Sequence, residues 1–218
     1  MRNTHVPVGT WRSVNHSQNG FFRECFVDEV AHAVGADPYE FRHRLLAAKP
    51  VERAVVDAAA QRAGWGTPLP EGRFRGIANV ECYGSFCATV AEISIDPRGR
   101  LTVHRLVTAI DSGHVVNPAI VESQMEGSAA YALTAMLYGE ITIKDGRAEQ
   151  GNFDDYEILR LEEMPRVETI VMPSGGFWGG VGEQGVPQVA PAVCNAIFAA
   201  TGKRIRTLPL KNQDLRRT

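Results

Sequence analysis

Gly180-Val181-Gly182-Glu183-Gln184-Gly185 satisfies the pattern G-x-G-x-x-G and places one carboxylate among three glycines. Two chemistries fit those letters. A dinucleotide turn uses such glycines to bring backbone against a pyrophosphate at a helix N-terminus. A catalytic loop uses them to let a bulky group approach a carboxylate closely. The context is right for the first: a strand pattern at 166–172 precedes the loop and a helix pattern follows. The details are not. The spacer Pro173–Gly179 is too long for a tight strand-to-helix turn, and Pro187 and Pro191 delay the helix. No second βα unit follows, and the place where an acidic ribose contact belongs is basic, with Lys203, Arg204 and Arg206. A carboxylate inside the loop would also repel a pyrophosphate. Glu183 therefore carries the chemical interest. With Phe177 and Trp178 nearby in the loop, an apolar wall is expected to desolvate it and raise its proton affinity, which suits a general base. The competing reading is a carboxylate placed before a helix only because the macrodipole favours it there.

The elements that must position this loop are legible. Residues 19–35 repeat apolar side chains at helical spacing (Phe22, Phe26, Val30, Ala33, Val34), with Gly35 as a stop. The spacing predicts that this stripe faces the core. A second helix starts at Asp37-Pro38, an N-cap followed by proline at the first helical position, and a third runs from Pro50 to Gly64. The stretch Thr67–Gly72 then breaks the chain. Two units are expected: a helical segment, 1–66, completing one cofactor-binding subdomain, and an α+β unit, 73–218. Residues 73–84 and 86–96 alternate as strands, and Asp96–Gly99 turns the chain into a third strand at 100–111. Ala91, Ile93, Ile95, Val103, Leu106 and Val107 are expected to share one buried face. Asn117-Pro118 opens a long helix rich in small residues, Asp145-Gly146 centres a short hairpin, and a last helix ends at Gly202 before an extended tail. The fold class is α+β. The opening segment, 6–22, is Gly- and Asn-rich and reads as a loop until the first helix.

Composition narrows the class. Hydrophobic residues make up 44% and charged ones 22% of 218 residues, which excludes a disordered chain. A net charge of -2 gives nucleic acid or an anionic membrane nothing to hold, and no apolar run is long enough to span a bilayer. Cys25, Cys82, Cys87 and Cys194 form no C-x-x-C pair, so free thiols are expected rather than zinc or iron–sulfur ligands.

Three long segments, in order, resemble the large subunit of the molybdenum hydroxylases, the xanthine dehydrogenase and aldehyde oxidase family. They are "VGTWRSVNHSQNGFFRECFVDEVAHAVGADPYEFRHRLL", "AIDSGHVVNPAIVESQMEG" and "GGVGEQGVPQVAPAVCNAIFAATGKRIRTLPL". "GWGTPLPEG" and "NFDDYEILRLEEMP" resemble the isoquinoline 1-oxidoreductase β-subunit branch. The resemblance implies a molybdopterin-binding domain portion with helices packed on a mixed or antiparallel sheet. It implies molybdenum–molybdopterin as cofactor, in a dinucleotide form such as molybdopterin cytosine dinucleotide. Glu183 falls on the family's catalytic glutamate, which takes a proton from a hydroxyl on molybdenum whose oxygen attacks an electron-poor carbon. Gln124 matches the glutamine that hydrogen-bonds the pterin's pyrophosphate region. Arg12 matches an arginine in the loop beside the metal, and Gly182 would lie against the metal's ligands. Asp111, Gly113 and Asn117 are expected to form a turn and a helix cap nearby. No residue of this chain is expected to ligate molybdenum, since the pterin dithiolene does so. The implied partners are the remainder of the large subunit or a split partner chain, an iron–sulfur electron-transfer subunit, and a small N-heterocyclic or aldehyde substrate. The chain resembles only about the last third of such a subunit, and Gln184 stands where many members carry proline. A non-catalytic folded domain that acts only with a partner is the rival expectation.

Overall fold

A computed structural model describes residues 6–216. Three helices come first: α1 (Asn15–Ala33), α2 (Pro38–Leu45) and α3 (Pro50–Ala63). Three strands follow: β1 (Arg73–Cys82), β2 (Ser85–Ile95) and β3 (Leu101–Asp111). Then come α4 (Pro118–Leu137), a two-residue hairpin of β4 (Ile143–Lys144) and β5 (Arg147–Ala148), β6 (Arg166–Val171) and α5 (Val189–Thr201). The main sheet has the order β1-β2-β3-β6, with antiparallel pairs up to β3 and β6 parallel to it.

Local signals act where they were expected. Asp37 accepts hydrogen bonds from the Tyr39 and Glu40 backbones, Asn117 from that of Ala119, and Gly64 and Gly202 end their helices in left-handed conformation.

Both faces of the sheet are covered. Ala91, Ile93, Val103 and Leu106 pack with α1, α4 and α5. Val90, Val107 and Ala109 pack with α3 on the other side. Val107 therefore does not share the face of Leu106. Strand residues alternate, so neighbours must diverge. Val103 and Leu106 do share a face because a bulge at Glu92/Ile93 shifts the register between them.

The first helix departs most from expectation. It begins at Asn15, so 15–18 are helical rather than loop. Its apolar stripe is not in the core: Phe22, Phe26 and Val34 are each more than 60% exposed. The inward face carries Phe21, Cys25 and Ala31 together with the carboxylates Glu24 and Asp28. Buried charge is tolerated because it is paired. The fully buried Arg42 donates from Nε to Glu24 Oε2 at 3.1 Å and from Nη2 to the Glu24 carbonyl at 2.9 Å. The Asn79 N–H donates to Glu24 at 3.0 Å, and Arg204 to Asp28 at 2.6 Å. This network joins α1 to α2, β1 and the C-terminal tail.

A second charged cluster bridges α3, β3 and β6. Glu168 accepts from Arg105 Nε and Arg62 Nε, each at 2.8 Å. The hydrogen bond from Arg105, with Arg62 assisting, holds this carboxyl down at about 2 against the opposing effect of burial. A depressed carboxyl contributes stability that is present above its unfolded value and lost as pH falls through its folded one. Between about pH 5 and pH 2 the wild type should therefore lose up to about 3 kcal/mol that Glu168→Gln does not lose. Urea unfolding midpoints across that range measure the difference; parallel curves for the two proteins would remove Glu168 from the account.

Candidate functional site

The site forms where three segments far apart in sequence meet at one end of the sheet. The first is the loop ahead of α1, the second is the early part of α4, and the third is the glycine-rich loop before α5. The last is tied down from its start. Asp111, at the end of β3, accepts from the Gly113 N–H and the Ser174 hydroxyl, each at 2.8 Å. The Gly175 and Gly179 N–H groups donate to the carbonyls of Gly113 and Ser112. Ser85, where β2 begins, donates to the Gly180 carbonyl at 2.5 Å.

The glycines of the motif divide by use. A Cβ on Gly180 would lie 2.2 Å from Gln184 Nε2, and one on Gly185 would lie 2.6 Å from the Ser128 Cβ. Both serve close packing inside the protein. A Cβ on Gly182 would meet nothing within 4 Å, so this glycine faces open space where an outside group can approach. The motif letters alone do not distinguish these uses.

All four expected site residues converge. Arg12 donates from Nε to the Gly182 carbonyl at 2.8 Å and from Nη2 to Gln124 Oε1 at 2.9 Å. Its guanidinium also lies 5.7 Å from the ring centre of Tyr131, on which Trp11 stacks at 4.7 Å. Glu183 Oε1 accepts from the Ser13 backbone N–H at 3.0 Å. Arg12 thus spans α4 and the glycine-rich loop, and Ser13 continues the same contact to Glu183. Gln124 sits in the second turn of α4, with its neighbours Val121, Met125 and Ser128 packed inward.

The expected apolar wall is absent. Phe177 and Trp178 are 86% and 57% exposed, and Trp178 rests against His114 instead. Glu183 is held instead by two hydrogen bonds, one from the Ser13 N–H to its Oε1 and one from its own N–H to Gln184. Its charge is still felt nearby: burial first, then the Glu183 carboxylate, pushes the Cys82 thiol up to about 12. All four cysteines are free and buried. Among the described residues no cluster of His, Cys, Asp or Glu could hold a metal ion, and no helix is long and apolar enough to cross a membrane.

Two contributors escaped the sequence reading. Gln184 is buried, and its Oε1 accepts from the Glu183 N–H at 2.8 Å, so it braces the backbone of Glu183. Ser13 carries no motif; only its place beside Arg12 pointed to it.

The donors suit an anionic ligand that is not itself bound through metal. Gln124 spends its carbonyl oxygen on Arg12, which leaves its two amide protons for another acceptor. With a guanidinium beside them, these donors match phosphate oxygens. The open face of Gly182 lies next to Glu183. The residues present therefore fit a pterin cofactor with a phosphate or pyrophosphate group.

Comparisons with known proteins identify the family. Residues 29–165 match the family described as "Molybdopterin cofactor-binding domain". The chain is 31% identical over 210 residues to the isoquinoline 1-oxidoreductase subunit beta of Brevundimonas diminuta, covering 94% of this chain and 27% of that one. It is 32% identical over 229 residues to a membrane-bound aldehyde dehydrogenase [pyrroloquinoline-quinone] of Gluconacetobacter polyoxogenes, covering 96% and 30%. The chain thus spans under a third of the length of these relatives. The fold matches the aldehyde oxidoreductase from Desulfovibrio desulfuricans ATCC 27774 with a TM-score of 0.71 at 14% identity, over 93% of this chain and 41% of that one. A domain match over more than half its length, on a matching fold, makes this chain a member of the molybdopterin cofactor-binding domain family of the molybdenum hydroxylases.

Proposed function

We propose that this chain forms the base-bearing wall of a molybdenum–molybdopterin site in an oxidoreductase acting on N-heterocycles or aldehydes. The overall change is RH + H2O → ROH + 2 e⁻ + 2 H⁺. The observation that carries the reading is the convergence of Arg12, Gln124, Gly182 and Glu183 from three distant segments. When bound, the cofactor supplies an acidified oxygen nucleophile and a two-electron acceptor. The chain supplies the rest. Gln124 and Arg12 hold the anionic part of the cofactor and fix its register. Gly182 leaves room for its reactive end. Glu183, held at Oε1, presents Oε2 as the proton acceptor. The dinucleotide form of the pterin, the remainder of the large subunit and an iron–sulfur partner that removes the electrons belong to the same proposal.

A second reading, a folded domain inactive without a partner, draws on the exposed Phe22 and Phe26 and on the short span relative to its relatives. One experiment serves both. The chain is purified from cells that make the cofactor, alone and co-produced with the rest of a large subunit, and assayed for molybdenum and pterin fluorescence. Stoichiometric molybdenum in the isolated chain supports a self-sufficient site. Molybdenum only in the co-produced assembly supports a shared one. Absence from both overturns the assignment, and a redox-cycling quinone in its place would favour the cofactor for which the aldehyde dehydrogenase relative is named.

A further inference from the structure

The segment Trp11–Val14 has a backbone that ordinary residues avoid. Ser13 has φ 71° and Val14 φ 39° with ψ −124°. Left-handed φ is uncommon outside glycine, and for a β-branched residue it is an outlier. Such conformations persist only where the surroundings over-determine them, and they gather at functional sites. The surroundings here are explicit. Ser13 is fully buried. Its hydroxyl donates to the Arg12 carbonyl at 2.5 Å and meets the Ser17 hydroxyl in the first turn of α1. Arg12 is held by Gly182 and Gln124. The kink leaves the Ser13 N–H aimed at one oxygen of Glu183, 3.0 Å away and 170 residues on.

We propose that Ser13 is a positioning residue for the base: its backbone N–H, turned by the Ser13–Val14 kink, holds Glu183 Oε1 in one place and leaves Oε2 to take the proton. A free glutamate samples several rotamers, and only a few aim at a given atom. A donor fixed on a buried, strained turn selects one of them before any ligand arrives. The functional value of this clamp rests on the proposed role of Glu183; its existence does not.

The test is read on the cofactor-free chain by two-dimensional NMR. In the wild type, the Ser13 amide resonance should follow one carboxylate titration as pH falls. Several charged or titratable groups lie close: Arg12, Glu81, the Cys82 thiol raised to about 12, the Tyr83 phenol, and His16 against the Tyr83 ring. Glu183→Gln removes one carboxylate among them, so the Ser13 response should vanish in that variant. Ser13→Gly, which accepts left-handed φ and keeps the N–H, should retain the response at residue 13. Ser13→Val, which resists that φ and lacks the hydroxyl, should lose it. A flat Ser13 amide in the wild type, or an undiminished response in Glu183→Gln, overturns the clamp. If the clamp stands and molybdenum never binds, the function fails and the positioning survives. If the assembled enzyme binds molybdenum and the Ser13 amide is flat, the function survives and the positioning fails.

Discussion

Glu183→Gln in a molybdenum-loaded assembly is expected to lower turnover by about 10²–10⁴-fold, the range that loss of a positioned general base produces. The substitution is nearly isosteric. The amide oxygen of Gln can still accept from the Ser13 N–H, and the backbone brace from Gln184 does not involve the side chain at 183. What is lost is the ability to take a proton. Molybdenum content should therefore stay unchanged, because the residues proposed to hold the cofactor, Arg12 and Gln124, keep their own contact at 2.9 Å. Measuring both quantities on one preparation matters. Lost turnover with molybdenum retained assigns proton transfer to Glu183. Turnover near wild type would remove that role, and lost molybdenum would make the residue structural. Glu183→Asp probes the same point differently. Its carboxylate remains basic but falls short of the Ser13 N–H by one methylene, so activity should drop without vanishing.

The second large effect is expected far from the loop. Glu24→Ala should destabilise the protein by up to about 3–5 kcal/mol, because it removes the nearer partner of a buried charge. Arg42 is 1% exposed and would lose its nearer carboxylate, at 3.1 Å, keeping only Asp28 at 3.9 Å, and the Asn79 N–H would lose its acceptor. The double replacement Glu24→Met with Arg42→Met should cost less than the single one, since apolar side chains of similar size often replace a buried pair at little cost. Urea unfolding of the single and double variants decides the matter. A single-variant loss within about 0.5 kcal/mol, the usual range for surface substitutions, would show that the pair is solvated and dispensable. The same network bears on the site, because α1 begins two residues after Ser13. Anchoring α1 through Glu24 and Asp28 anchors the turn that reaches Glu183.

Much of this was legible in the chain itself. Asp37-Pro38 and Asn117-Pro118 set helix starts, and Gly64 and Gly202 set helix ends. Asp96–Gly99 set the turn between β2 and β3. These are local effects: a cap or a turn is decided by dihedral preferences and hydrogen bonds within a few residues. The long motif segments likewise pointed to Arg12, Gln124, Gly182 and Glu183. Other features depended on partners distant in sequence. The apolar spacing of Phe22, Phe26 and Val34 pointed to a core-facing stripe, yet α1 turns Glu24 and Asp28 inward. Arg42 and Arg204 make that possible, and they arrive from 18 and 176 residues away. Alternation puts Val107 on the face opposite Leu106, and that this second face is also buried, under α3, is something one strand does not reveal. The aromatic pair Phe177–Trp178 sits beside Glu183 in sequence but not around it in space. The division of the glycines into packed and open ones, and the hold of Ser13 on Glu183, exist only once the three segments meet. Periodicity and motif describe what a segment can do alone; which face is buried, and which groups end within hydrogen-bonding reach, is decided by the rest of the chain packed against it.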